Sequence, residues 1–101
     1  MGLSICIYDN DLSHEIWQSC YSTYHRFIED TYKANLNIRW PEKFRYNDEI
    51  CWSYEEGIKL AQDLKLALLD KKFNDKWGLK TEVFIKGLEK ACELKLNLIL
   101  C

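Results

Sequence analysis

The sequence predicts an α+β domain in which a small two- or three-stranded sheet, made of an N-terminal hairpin and a C-terminal strand, is packed by three helices. Three observations lead there. Leu3, Ile5 and Ile7 alternate with Ser4, Cys6 and Tyr8 at the start of the chain, the period-two pattern of a strand with one face in a core. Leu96, Leu98 and Leu100 alternate with Asn97 and Ile99 at its end. Between them lie three stretches of helical periodicity, separated by turn-forming residues. The expected order is strand, strand, helix, an irregular segment, helix, helix, strand, in a single domain spanning residues 1–101.

After the first strand, Asp9-Asn10-Asp11 reads as a turn, and a second short strand from about Glu15 to Ser19 completes a hairpin with a loop of roughly five residues. Ile16 falls on one face of that strand, with Glu15 and Trp17 on the other. Ser22 or Thr23 can cap the first helix, Tyr24 to about Ala34, before Asn35 stops it. On a helical wheel Tyr24, Phe27, Ile28, Thr31, Tyr32 and Ala34 fall together, opposite Arg26, Glu29, Asp30 and Lys33. Arg26 with Asp30, and Glu29 with Lys33, stand four apart and can pair.

Residues 36–52 carry no clear period. Pro41 disfavours helix at Trp40, alternation of Phe44 and Tyr46 suits a short strand near 43–46, and Asn47-Asp48 suits a turn. Ser53 and Glu56 then form an S-x-x-E capping box, which opens a long helix running to Lys72. Tyr54, Ile58, Leu60, Ala61, Leu64, Ala67 and Leu68 line its apolar side. Two residues break the pattern: Leu66 falls on the polar side and Lys65 on the apolar one. A lysine stem can lie on apolar surface and a lone exposed leucine is ordinary, but taken together they suggest that a second surface covers Leu66, either the segment 36–52 or another chain. Asn74-Asp75 and Gly78 predict a loop over 73–78, and Thr81 a cap for a third helix, Glu82 to about Lys95. That helix is polar along only a narrow strip of Glu82, Lys86, Glu89, Lys90 and Glu93, so more than one of its sides should be covered.

Composition bounds the function. With 14 basic and 16 acidic residues, net charge −2 and interspersed signs, the chain lacks the basic excess of a general nucleic-acid binder. Aromatic residues make up 14%, enough to close a small core or to anchor an interface. No stretch approaches the roughly 18 apolar residues of a membrane span, and no leader pattern opens the chain. Five cysteines without C-x-x-C spacing read as reduced thiols of a cytoplasmic protein. The four glycines are isolated, so there is no phosphate loop. His14, His25 and the scattered cysteines lack zinc spacing. Asn47-Asp48-Glu49 reads as a turn, since no Gly follows it and no bidentate Glu stands in calcium-site register. No metal and no cofactor are expected.

The run Tyr21-Ser22-Thr23-Tyr24-His25-Arg26-Phe27 resembles a family of small bacterial and phage proteins whose shared stretch joins an aromatic to His-Arg-Phe after an N-terminal hairpin. Tyr21 and the Tyr24 to Phe27 run match, whereas Ser19-Cys20 stands where that family tends to have Trp-Ser. The C-terminal helix running into a short apolar strand is similar too. The resemblance implies a fold and a bacterial or phage origin, and brings no activity with it.

The expected function is therefore that of a non-enzymatic protein-binding regulator or inhibitor, with a protein partner or a second copy of the chain in a homodimer, and with neither nucleic acid nor membrane. The alternative is a small-ligand or anion-binding domain using Tyr21, Tyr24, His25 and Arg26, with Trp52 or Trp77 as a wall. Leu66 marks the candidate protein interface. Cys20, five residues before His25, is a weaker nucleophile candidate, because a catalytic thiol needs a nearby base and an orienting group.

Overall fold

β1 (Gly2–Asp9) and β2 (Leu12–Cys20) pair antiparallel from Gly2↔Cys20 to Asp9↔Leu12, so the hairpin is longer, and its connection shorter, than the sequence suggests. The computed structural model describes residues 2–9, 12–40 and 50–100. Asp9, expected in the turn, instead ends β1 opposite Leu12; the rest of that turn, Asn10-Asp11, the strand near 43–46 and the Asn47-Asp48-Glu49 turn lie outside the described residues. β4 (Leu98–Leu100) joins the other side of β1 through Ile5↔Leu100, Cys6↔Ile99 and Ile7↔Leu98, the partnership expected from the two alternating ends of the chain. A further strand, β3 (Ile50–Trp52), pairs antiparallel with β4. It extends the expected three-stranded ribbon to four strands in the order β2-β1-β4-β3.

One register shift in the hairpin matters for packing. Ile5 faces Trp17 but Cys6 faces Glu15, so Ile16 is the extra residue of a β-bulge. The bulge overturns the expected alternation, and two consecutive side chains reach the same helix. Trp17 donates its indole N–H to the Lys80 carbonyl at 3.2 Å. Ile16 packs where a Cβ on Gly87 would stand 2.8 Å from it, a close approach that only glycine permits.

α1 (Tyr21–Ala34) begins three residues earlier than expected, with Cys20 rather than Ser22 or Thr23 at the cap position. Asp30 does not turn to Arg26: it takes Lys76 at 3.1 Å and Lys33 at 3.8 Å. After α1 the chain runs irregularly to Trp40, held by Arg39, whose backbone N–H and guanidinium both donate to the buried Asp63 carboxylate. Trp40 donates to the Thr31 hydroxyl at 2.8 Å.

The largest correction concerns the second and third helices. α2 (Tyr54–Ala67) opens with the expected capping box, with Glu56 N–H donating to Ser53 Oγ at 3.1 Å and Ser53 N–H to Glu56 Oε1 at 3.2 Å. It stops at Ala67 rather than Lys72. After a turn over 68–70, α3 (Lys71–Leu94) runs for 24 residues, straight through the expected loop at 73–78. Its cap is Asp70, whose Oδ1 accepts from Phe73 N–H at 3.0 Å, and Thr81 is a buried mid-helix residue. The residues that look like breakers build the corner instead. Asn74 donates its side-chain amide to the Leu68 carbonyl at the end of α2, satisfying an acceptor that a helix terminus leaves open. Gly78 leaves room for it, since a Cβ there would lie 2.5 Å from Asn74 Oδ1. At the far end Lys95 adopts a left-handed conformation (φ 56°), with Leu96 N–H on the Ala91 carbonyl and Lys95 N–H on that of Cys92. This is a Schellman closure without its usual glycine.

The core lies between the sheet and the helices. Trp17, Tyr24, Phe27, Trp52, Leu60, Leu64, Phe84, Leu88 and Leu98 are all buried. Phe27 sits among Trp77 at 5.3 Å, Trp17 at 5.7 Å and Phe84 at 6.2 Å between ring centroids, in tilted and edge-on arrangements that ring quadrupoles favour. Aromatic content thus serves the core first.

Candidate functional site

Where α1 ends and α3 begins, the two helices leave a cleft of about 370 Å³. The last turn of α1 supplies Asp30, Lys33 and Ala34, the α3 cap supplies Asp70, and the first turns of α3 supply Lys72, Phe73, Lys76 and Trp77. Phe73 and Trp77 are buried and form an apolar floor, since the helical period turns them inward together at i and i+4. The same period brings Lys72 and Lys76 together on the rim.

Asp30 organises the polar side. Its Oδ2 accepts from Trp77 Nε1 at 2.7 Å and from Lys76 Nζ at 3.1 Å, and Lys33 Nζ approaches Oδ1 at 3.8 Å. The Trp77 hydrogen bond, with Lys76 behind it, holds the Asp30 carboxyl below its ordinary range. Lys76 also lies 5.2 Å from the Trp77 ring centroid, within cation–π range. Asp70 spends an oxygen on its cap. Both acids of the cleft are therefore engaged, whereas Lys72 is exposed and makes no ion pair among the described residues.

Three exposed leucines stand close in sequence to residues that line this cleft. Leu36, two residues beyond Ala34, is 85% exposed; Leu69, next to Asp70, is 81% exposed; Leu66, in the last turn of α2, is 56% exposed. The expected misfit of Leu66 is thus real among the described residues, while Lys65 resolves by donating to Glu89 of α3 at 3.0 Å.

Of the other expected site residues, Tyr24 and His25 meet, with ring centroids 6.0 Å apart. Tyr24 is 2% exposed, its ring 5.8 Å from that of Trp17, so it serves the core rather than a surface. His25 and Arg26, on the same helix, are exposed. Tyr21 opens α1, and its side chain lies outside the described residues. Trp52 is buried in the core, whereas Trp77 does wall a cleft, the one toward Asp30. Nothing in the sequence joins Asp30 to Trp77, which stand 47 residues apart, and reading 73–78 as a loop hides the face that Lys72, Phe73, Lys76 and Trp77 share.

Cys20 is exposed at the start of α1, its sulfur 2.9 Å from Thr23 Oγ1 and 3.7 Å from Ser22 Oγ. The Thr23 hydroxyl, then the Thr23 backbone and the Ser22 hydroxyl, lower its thiol to about 7, which raises thiolate content at neutral pH. Cys20 and Cys92 are free thiols. Among the described residues no group of three or more His, Cys, Asp or Glu is placed to hold a metal ion, and no helix is long and apolar enough to cross a membrane. No family model, curated protein or solved structure matches the chain.

Proposed function

We propose that the chain is a small protein-binding module, a regulator or inhibitor rather than an enzyme, which engages its partner through the end of the molecule where α1 meets the α2–α3 turn. The observation that carries this reading is the exposure of Leu36, Leu66 and Leu69 beside an aromatic-floored cleft. Single exposed leucines are ordinary, but three of them near the ends of α1 and α2, next in sequence to residues of a recess, support the reading of an interaction surface at this end of the molecule. The partner is another protein or a second copy of the chain, in the cytoplasm of a bacterium or in a phage-infected cell, as the resemblance at Tyr24 to Phe27 suggests. A second reading, a small-anion site, draws on Lys33, Lys72 and Lys76 and moves from the Tyr21 to Arg26 run to this cleft.

The test pairs sedimentation velocity of the purified chain with affinity capture, comparing wild type with the Leu36→Ser, Leu69→Ser double variant. The reading expects either concentration-dependent self-association or one stoichiometric partner, lost in the double variant while its circular dichroism is unchanged. A double variant that associates like the wild type would contradict it.

A further inference from the structure

We infer that the partner segment received by the cleft between α1 and α3 is acidic, with one bulky apolar side chain seated on Phe73 and Trp77 and carboxylates meeting Lys33, Lys72 and Lys76; this rests on the protein-binding reading above. The cavity, at about 370 Å³, lies at the small end of ligand sites, which suits one large side chain better than a folded surface. Its floor is apolar and its rim carries three lysines against two acids.

Those acids are already committed. Asp30 is held by Trp77 and Lys76, and Asp70 caps α3. Lys33, with a side chain 79% exposed and only a 3.8 Å approach to Asp30, and Lys72 can turn to an incoming anion at little loss.

The placement of the lysines adds a second, independent argument. Lys71 and Lys72 occupy the first turn of α3, and no acidic residue accompanies them there. A helix start already carries partial positive charge, so cations at that position oppose helix stability, and acids are what the site favours. Asp70 at the cap offsets part of this charge, but the first turn proper keeps two lysines and no acid where the cleft opens. An acidic partner would relieve that repulsion, and the combined positive field would steer it in. With a net charge of −2, the chain offers this field locally rather than over its whole surface, which fits a short acidic segment better than a long polyanion.

The test is fluorescence anisotropy of the full chain with a dye-labelled peptide of alternating Asp and Glu around one central Phe. Its controls are the Asn/Gln counterpart and a version with Ala in place of Phe. The inference expects the acidic Phe peptide to bind at low salt and to weaken as salt rises, and both controls to bind about tenfold more weakly. Lys33→Glu and Lys72→Glu should each weaken it by about tenfold. Lys72→Glu puts an acid in a helical first turn, so misfolding is not the expected cause of its loss, and the salt dependence of the wild type reads the charge contact without any substitution. Equal binding of the Asn/Gln peptide would overturn the acidic assignment while leaving a protein-binding surface. Equal binding of the Ala peptide, full displacement by inorganic phosphate, or tighter binding of a single-stranded oligonucleotide would overturn it in favour of a plain anion site. Failure of every peptide would overturn it too, and the protein-binding reading would then be judged by the Leu36 and Leu69 double variant alone.

Discussion

Residues 71–80 of α3 carry Lys71, Lys72, Lys76 and Lys80 and leave Leu79 84% exposed, whereas residues 81–94 bury Thr81, Phe84, Ile85, Gly87, Leu88 and Ala91. One hydrogen-bonded rod joins them. The C-terminal half is fixed from two sides, by Ile16 of the bulged strand against Gly87 and by Leu88 in the core. The N-terminal half buries only Phe73 and Trp77, and is otherwise held by polar contacts, from Asn74 to Leu68, Lys76 to Asp30 and Trp17 to the Lys80 carbonyl. Packing at one end of a helix holds its register, so the other end can carry charges that its dipole disfavours. A charged surface built this way needs no loop.

If that division is real, the two halves should respond differently to substitution. Phe84→Ala, at a fully buried ring, should cost about 3–5 kcal/mol of stability in urea unfolding. Leu79→Ser should stay within about 0.5 kcal/mol. Similar losses for the two would break the comparison at once.

A smaller effect is expected within the N-terminal half. Trp77→Phe removes the indole donor from Asp30 and should cost about 1–3 kcal/mol. Asp30→Asn should also change the pH dependence. The folded-state carboxyl of Asp30 is held below its ordinary value of 3.8, so its contribution is fully present above that pH and is lost as pH falls through the lower folded value. Wild-type stability should therefore decline in that acid window by more than the Asn variant's does; parallel declines would count against the Trp77 contact.

The start of α1 offers a contrast to the start of α3, with a thiol lowered to about 7 in place of lysines. Iodoacetamide should alkylate Cys20 ahead of the buried Cys6 and the half-buried Cys92, with a rate that rises through about pH 7. Thr23→Val should slow it by about tenfold at neutral pH. Uniform labelling, or no response to Thr23→Val, would remove the hydroxyl contact from the account. A small effect of opposite sign is expected at Lys72: Lys72→Glu should stabilise the fold by about 0.3–1 kcal/mol while weakening partner binding. A destabilised Lys72→Glu would mean that the lysine serves the fold and not the cleft.

Much of the fold was legible because its signals are local. The capping box at Ser53 and Glu56 sets the start of α2. Alternation at Leu3 to Ile7 and at Leu98 to Leu100 sets β1 and β4, and the wheel of α1 places Phe27 and Thr31 inside. What stayed hidden depends on contacts across the chain. Asn74 and Gly78 have the composition of a loop, yet one closes the end of α2 and the other makes space for it. The bulge at Ile16 shows only in the pairing register. β3 is three residues long, too short for alternation to be read. The left-handed turn at Lys95 lacks the glycine that would announce it. The cleft was illegible for the same reason, since Asp30 and Trp77 meet only after α3 has formed as a single helix.

The division of α3 is tested most directly by following backbone amide shifts of the isotopically labelled full chain while the acidic Phe peptide is added. Perturbations should cluster at Lys33, Ala34, Lys72, Phe73, Lys76 and Trp77, with the amides from Phe84 to Ala91 unmoved. Shifts centred on Phe84 to Ala91, or on His25 and Arg26, with the cleft residues silent, would contradict it.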